Sequence, residues 1–509
     1  MKFNVQKIEE IYKLDMMKNY IQISEEIDQL IRNVLNAKYL LNPFFRISKT
    51  TPEQTKIYHT IKSNHSFLYH CIYSLGLLIG NLIKTSFYIL MSFVMVYQYC
   101  FIPRSHKKID CMFLTHAIGA NIGPIQADQY FALMPQFLCA QKYNVAMFYT
   151  NHNKFGYLKN YYKLKTKNKG IEIYLCPKFM LPHENVGFVF ESITRAMSCL
   201  KIGTKDIKKD PSQSKILIAA IPYFFSRGAY SNYLLKRRCL SIQKKSEPKF
   251  SIFTLEGYSY EQYVFDALNE LKSECNVIFY QHSPIVSGHL GLISFLKGLD
   301  SKVQIMVTGT VYKNYIESFS SFPNVTIVGS RKSQREKSKT ITQEKDTLLF
   351  VPEGTKQATF EFIDLIQELV QNKLENRIVL RLHPNLPNSF QVRKNLQKLN
   401  NFPNIHVSKS DLSSDLEKSD FVFFRSSAVG IEALLSGAHL VFYAKSNEPN
   451  INPLSLVNNL NLYASSASDV LQLLKGKHGE INAQERSQAF DKFFADLDYS
   501  NLLYLVNKT

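Results

Sequence analysis

The stretch IVLRLHP, residues 378–384, decides how this chain must fold. Ile378, Val379 and Leu380 form a short continuous apolar run of the kind buried on both faces of a parallel sheet. Arg381 and His383 follow two residues apart, so in extended chain they point to one side. Pro384 then keeps His383 extended and stops the strand. A strand buried on both faces can offer reactive groups only at its exposed end, and here polar side chains collect at that end.

The same pattern recurs outward in both directions. From Ile109 onward, short apolar runs alternate with amphipathic stretches: Cys111–Thr115, Val145–Tyr149, Ile171–Leu175, Ile216–Ala220, Ser251–Leu255, Val277–Tyr280 and Val303–Val307. Between them lie helical patterns such as Tyr260–Leu271, where apolar residues return at helical spacing. The stretch RKSQREKSKTITQEK, residues 331–345, is almost without apolar residues and reads as a linker or domain edge. A second series follows it: Leu348–Val351, Ile378–Leu382, Ile405–Val407, Phe421–Phe424 and Leu440–Tyr443. The expected fold is α/β: two Rossmann-like, doubly wound domains over residues 106–335 and 345–509, facing across a cleft. A helical region over residues 1–105 precedes them.

At 509 residues, a chain that is 45% hydrophobic and 20% charged is large enough for two or more cores. The net charge of +19 favours an anionic partner such as a nucleotide phosphate, a lipid-linked acceptor or an acidic membrane face. The basic residues are scattered and no nucleic-acid-binding motif accompanies them, so no nucleic-acid partner is expected. Eight cysteines without a C-x-x-C pair read as reduced structural thiols. The first twenty residues carry charges where a secretory signal needs its apolar centre, so a cytoplasmic body is expected. Residues 67–102 are strongly apolar, and the 17 residues from Ser86 to Ile102 carry no charge, although Lys84 interrupts a longer run. A short membrane span, an interfacial anchor to the cytoplasmic membrane face and a buried helical hairpin all fit that length.

Polar constellations sit at the predicted strand ends. In FFRSSAVGIEALLSG, residues 423–437, Ser426 and Ser427 fall where a helix begins, with small Ala428 and Gly430 beside them. Free backbone N–H groups there, with two hydroxyls, would seat an anion; a serine cap alone is the plainer reading. Glu432, one turn further, could take sugar or ribose hydroxyls, or be an ordinary exposed glutamate. In VPEGTKQATFEF, residues 351–362, Glu353 and Gly354 turn from strand to helix, and Gly354 would allow a donor to approach the backbone. In the first half, NVIFYQHSPI places His282 at a strand end, and SIFTLEGYSYEQYVFDAL places Glu256 and Gly257 between strand and helix. Ser259 and Gln262 have capping-box spacing, which leaves Glu256 available at the cleft edge as a general base. His116 ends the first strand and leads into a loop with Gly119 and Asn121, an acceptor-binding candidate that lacks the G-x-G-x-x-G spacing. No metal-ligand spacing appears; Asp496-Leu497-Asp498 lies away from any strand end. No cofactor is therefore expected.

Together LRLHP, FFRSSAVGIEALLSG, QHSP and the Glu-Gly before a helix resemble the GT-B glycosyltransferases of bacterial surface-polysaccharide assembly, over about Ile109–Leu474. The likeness is nearest to sialyltransferase-like and Kdo-transferase-like groups, which use CMP-linked acidic sugars, and to polyglycerol-phosphate transferases. It implies a nucleotide-sugar donor, a glycan or lipid-linked acceptor, and a metal-independent inverting transfer. By the resemblance Glu256 is the base, His383 engages the donor phosphate, and Ser426 with Ser427 holds it. The acidic motif here is a single Glu, and His439 stands where a small residue and Pro are common. Nucleotide-sugar 2-epimerases share the architecture, and a non-catalytic, membrane-attached assembly protein would too.

Overall fold

The computed structural model describes residues 67–94, 108–117, 128–151, 157–205, 211–270, 275–286, 290–297, 299, 303–319, 324–334, 347–384, 386, 389–444, 451–457, 460–476 and 482–508. The apolar runs become strands because they have no polar face to offer water, and a parallel sheet covered by helices hides both sides. In the first domain they are β1 (Cys111–Ala117), β2 (Val145–Asn151), β3 (Glu172–Leu175), β4 (Phe250–Thr254), β5 (Asn276–Gln281), β6 (Gln304–Val307) and β7 (Val325–Ile327). In the second they are β8 (Thr347–Val351), β9 (Arg377–Leu380), β10 (Ile405–Val407), β11 (Ser419–Phe424), β12 (His439–Tyr443) and β13 (Leu462–Ala464).

Every strand pair is parallel, in the orders β3-β2-β1-β4-β5-β6-β7 and β10-β9-β8-β11-β12-β13. Each sheet thus starts near its middle, winds outward, then returns to wind the other way. The reversals fall between β1 and β4 and between β8 and β11. At such a switch point the neighbouring connections leave in opposite directions and open a crevice beyond the carboxyl ends. These two sheets are the two-domain GT-B architecture that the sequence led us to expect.

Three findings depart from the sequence reading. Ile216–Ala220, expected as a strand, lies inside the Pro211–Phe224 helix. A five-residue apolar run has no periodicity to tell strand from helix, and this one is sandwiched between the Phe67–Val94 and Pro182–Lys205 helices. β7 and β13, three residues each, were too short to stand out. The chain's last helix, Tyr499–Asn507, falls within the stretch 345–509 but packs on the first domain, where Leu502, Leu505 and Val506 join its core.

The return is stitched by backbone hydrogen bonds: Ala495 N–H to the Thr308 carbonyl at 2.8 Å, Ser330 N–H to Ala495 at 2.9 Å, and Asp498 N–H to Val328 at 2.9 Å. Just before it, the Ala483–Phe493 helix touches both domains. Phe493 packs on Tyr312 of the first, and Arg486 donates to the Ala438 carbonyl of the second at 2.5 Å. Of the helical region expected over 1–105, residues 1–66 and 95–105 lie outside the described residues; Phe67–Val94 is one 28-residue helix.

Candidate active site

The two switch points face one cavity of about 910 Å³. The first domain contributes Tyr130, Glu256, Tyr258, His282 and Ser283, and the second Glu353, Gly354, Thr355, His383, Ser426, Ser427 and Ala428. Glu256 follows β4 and His282 follows β5. Glu353 follows β8, His383 lies beyond β9, and Ser426 follows β11. The four residues on which the sequence argument depended, Glu256, His282, His383 and Ser427, therefore share one opening.

On the first wall, His282 Nε2 lies 3.3 Å from Glu256 Oε1. Because a carboxylate only accepts, the imidazole proton of this contact sits on Nε2. His282 Nδ1 is buried without a hydrogen-bond partner among the described residues. The Tyr130 ring stands edge-on to the imidazole, with centroids 4.6 Å apart. Tyr258 hydrogen-bonds the Glu256 carboxylate, whose charge, followed by burial, holds that phenol far above its ordinary pKa. Glu256 thus has a protonated tyrosine on one side and an imidazole on the other.

The loop geometry that aims Glu256 comes from a residue the sequence reading passed over. Buried Glu261 accepts the backbone N–H groups of Glu256 at 2.9 Å, Gly257 at 2.8 Å and Tyr258 at 3.1 Å. It therefore does the back-reaching work expected of Gln262, which was chosen one position too late in the helix. Burial, then the Glu256 charge, pushes the Glu261 carboxyl up to about 8. Gly257 makes the turn at φ +73°, and a Cβ there would stand 2.5 Å from the Leu292 backbone nitrogen. Only glycine fits both conditions.

His116 does not line the cavity. Its Nδ1 lies 2.5 Å from Thr150 Oγ1 and its Nε2 3.0 Å from the Tyr260 hydroxyl, which meets Thr254 Oγ1 at 2.6 Å. Thr254 donates in turn to Glu261 at 3.0 Å, so His116 begins a buried chain of hydrogen bonds beneath Glu256. The acceptor-loop candidates Gly119 and Asn121 lie outside the described residues. Beyond that gap, buried Asp128 accepts from Tyr130 N–H at 2.8 Å and Phe131 N–H at 3.0 Å, turning Gln129 and Tyr130 into the cleft.

On the second wall, Ser426 donates to Glu353 Oε2, and Ser427 Oγ accepts from Val429 N–H at 3.3 Å. The Lys356–Gln371 helix opens at the cavity and is capped by Thr355, whose Oγ1 accepts from Ala358 N–H at 3.1 Å. Burial lowers the His383 pKa and so favours its neutral imidazole. Gly354 seats that ring: a Cβ on it would meet His383 Nδ1 at 2.8 Å. The space expected for a donor at Gly354 thus belongs to His383. Gly430 likewise makes room for the Phe424 ring, 2.5 Å from where its Cβ would be.

Two expected donor residues stand elsewhere. β9 ends at Leu380, so Arg381 leaves the strand geometry that would have aligned it with His383. Its guanidinium donates to Asp415 Oδ2 and to the Ser410 carbonyl, both at 2.7 Å. Glu432 is buried and pairs with Lys332 Nζ at 3.2 Å instead of facing the cavity. Positive charge reaches the cleft from Arg331 and Lys332, the start of the stretch expected to be only a linker. Asp498 of the D-x-D match caps the last helix, accepting from Ser500 N–H at 2.9 Å. Among the described residues no three His, Cys, Asp or Glu side chains gather as metal ligands.

No family model and no curated protein matches the chain. Solved structures do resemble it. The UDP-GlcNAc 2-epimerase of Methanocaldococcus jannaschii in complex with UDP-GlcNAc and UDP aligns at 9% identity over 78% of this chain and 99% of its own, with a TM-score of 0.45. MurG of Acinetobacter baumannii aligns at 12% identity over 79% and 100%, TM-score 0.42. A glycosyltransferase of Rickettsia africae aligns at 10% identity over 79% and 98%, TM-score 0.44. The architecture of the chain rests on its own two parallel sheets and the cleft between their switch points.

Proposed function

We propose that this chain is a glycosyltransferase that moves a sugar from a nucleotide-linked donor to a hydroxyl acceptor by a metal-independent, inverting displacement. The observation that carries the reading is the meeting of a Glu–His pair from one domain with a histidine and a serine pair from the other, in one cavity at two topological switch points. Glu256 takes the proton of the acceptor hydroxyl while His282 and Tyr258 hold its carboxylate in place. The acceptor oxygen then bonds to the anomeric carbon as the bond from that carbon to the phosphate oxygen breaks. The departing electron pair settles on the phosphate, which is met by His383, the Ser426 and Ser427 hydroxyls and the N-terminus of the Lys356–Gln371 helix. Attack from the face opposite the leaving group inverts the anomeric centre. Arg331 adds positive potential at the mouth. The motifs in the sequence favour surface polysaccharide as the product and a CMP-linked acidic sugar as the donor.

The test has two stages. Thermal stabilisation by CMP-, CDP-, UDP- and GDP-linked donors identifies the base, because a ligand that binds only the folded form raises the midpoint. Transfer to glycan and lipid-linked acceptors is then measured in EDTA. Glu256→Gln should lower kcat by about 10²–10⁴-fold with donor stabilisation retained, and His383→Ala should weaken donor binding. Strict metal dependence, or full activity in both variants, would defeat the proposal. Donor turnover without any acceptor would point to an epimerase, and nucleotide binding without turnover to a non-catalytic role.

A further inference from the structure

The Phe67–Val94 helix is built inside out. Apart from Tyr88, which packs on Phe179 and Tyr230, the stripe it turns to the protein is polar: Asn81 donates to the Pro222 carbonyl at 2.8 Å, Thr85 to the Phe225 carbonyl at 2.6 Å, and Ser92 accepts from Asn185 at 2.8 Å. The opposite stripe is apolar and bare: Ile72, Leu75, Ile79, Ile83 and Leu90 are each more than half exposed. The stretch Ser74–Phe93 has a mean hydropathy of 1.4, yet its buried residues are Ser74, Thr85, Tyr88 and Ser92, and its aliphatic side chains are not among them. In water a surface helix does the reverse, because leaving apolar area exposed costs about 25 cal/mol per Å².

A second helix continues the surface. Pro182–Lys205 meets the first at the Asn185–Ser92 hydrogen bond, and both rest on Pro211–Phe224. Its outward side repeats at helical spacing as Val186, Phe190, Ile193, Met197 and Leu200, with Phe190 72% exposed. Its two acids are neutralised in ion pairs: Glu184 with Arg238 and Glu191 with Arg195. The chain has no acidic residue from Phe67 to Ile109, and among the residues of the two helices whose burial is described the exposed charges are Lys84 and Lys201. An apolar face of this extent with only positive charge on it is complementary to a bilayer surface with anionic headgroups.

We infer that these two helices form a membrane-docking face that lies in the plane of one leaflet. A spanning helix would be ringed by lipid, whereas this one is hydrogen-bonded to the domain along its inner stripe from Asn81 to Ser92. The occupant is an anionic lipid leaflet, and the docking stands whether or not the cleft transfers sugar.

The test uses the full chain with vesicles of phosphatidylcholine alone and with about one-third phosphatidylglycerol. Binding to both is expected, tighter to the anionic ones. Phe190→Ser with Met197→Ser should weaken it about tenfold or more, with circular dichroism and thermal midpoint unchanged. Lys84→Glu with Lys201→Glu should erase only the anionic preference. The sequence has no tryptophan, so Ile72→Trp, Ile83→Trp and Leu90→Trp are clean depth probes, and brominated lipids should quench all three at the same shallow level. Ile83→Trp lying deepest would mean a span. Vesicle binding that survives the paired serine variant, or a detergent-free dimer broken by that variant with no vesicle binding, would overturn the inference.

Discussion

One histidine, His383, and a buried glutamate, Glu261, carry the chemistry that pH can reach. Burial lowers the His383 pKa and favours its neutral form, whereas a bound phosphate would favour the protonated one. Nucleotide affinity should therefore rise as pH falls, with proton uptake on binding, and His383→Asn should remove both effects while leaving weaker binding. Calorimetry in two buffers of different ionisation enthalpy measures the uptake. Glu261 works in the opposite sense. The folded protein keeps a proton on this carboxyl up to about pH 8, whereas the unfolded chain releases it near 4.5. Across that window the unfolded state binds fewer protons, so this group's contribution to stability is full below the window and falls as pH rises through it. Glu261→Gln should flatten that part of the stability profile. Glu261→Ala, which strands three backbone N–H groups, should cost about 2–3 kcal/mol below that window and less as pH rises through it, and should lower activity by freeing the Glu256 loop.

Among the elements, the turns matter more than the strands they follow. Gly354→Ala would push a methyl group to within 2.8 Å of His383 Nδ1. It should lower donor affinity with little change in thermal midpoint, because the ring and not the backbone gives way. Gly329→Ala meets backbone instead: φ is +83° and the Cβ would stand 1.9 Å from the Asp496 carbonyl oxygen. It should destabilise by about 2 kcal/mol or more, visible as a lower denaturation midpoint, because neither partner can move without breaking the stitched crossover. The residues next to these turns were legible in the sequence because strand ends in a parallel sheet are where polar groups can stand. The glycines' partners were not, since a glycine kept for His383 and one kept for Phe424 look alike in a linear string.

At the scale of the whole molecule, the two domains are joined twice, by the chain leaving β7 and by the return of residues 495–498. Leu502, Leu505 and Val506 are completely or almost completely buried in the first domain. Deleting the chain beyond Asp498 should therefore expose that core and lower the midpoint, even though the deleted residues lie far from the cleft in sequence. Donor binding that draws both walls together should raise the midpoint of the intact protein as a single transition.

The sequence alone determined the strand periodicity and the polar strand ends Glu256, His282, His383 and Ser426, because burial on two faces leaves a signature in composition and the exposed ends break it. Only the tertiary structure decided which of those polar groups were available. Arg381 and Glu432 have the right chemistry for a donor but are taken up by Asp415 and Lys332. Glu261, Tyr130 and Tyr258 gain their roles from neighbours. An apolar helix announces its composition in the sequence, but the side it turns outward depends on which hydrogen-bond partners the folded chain brings to it.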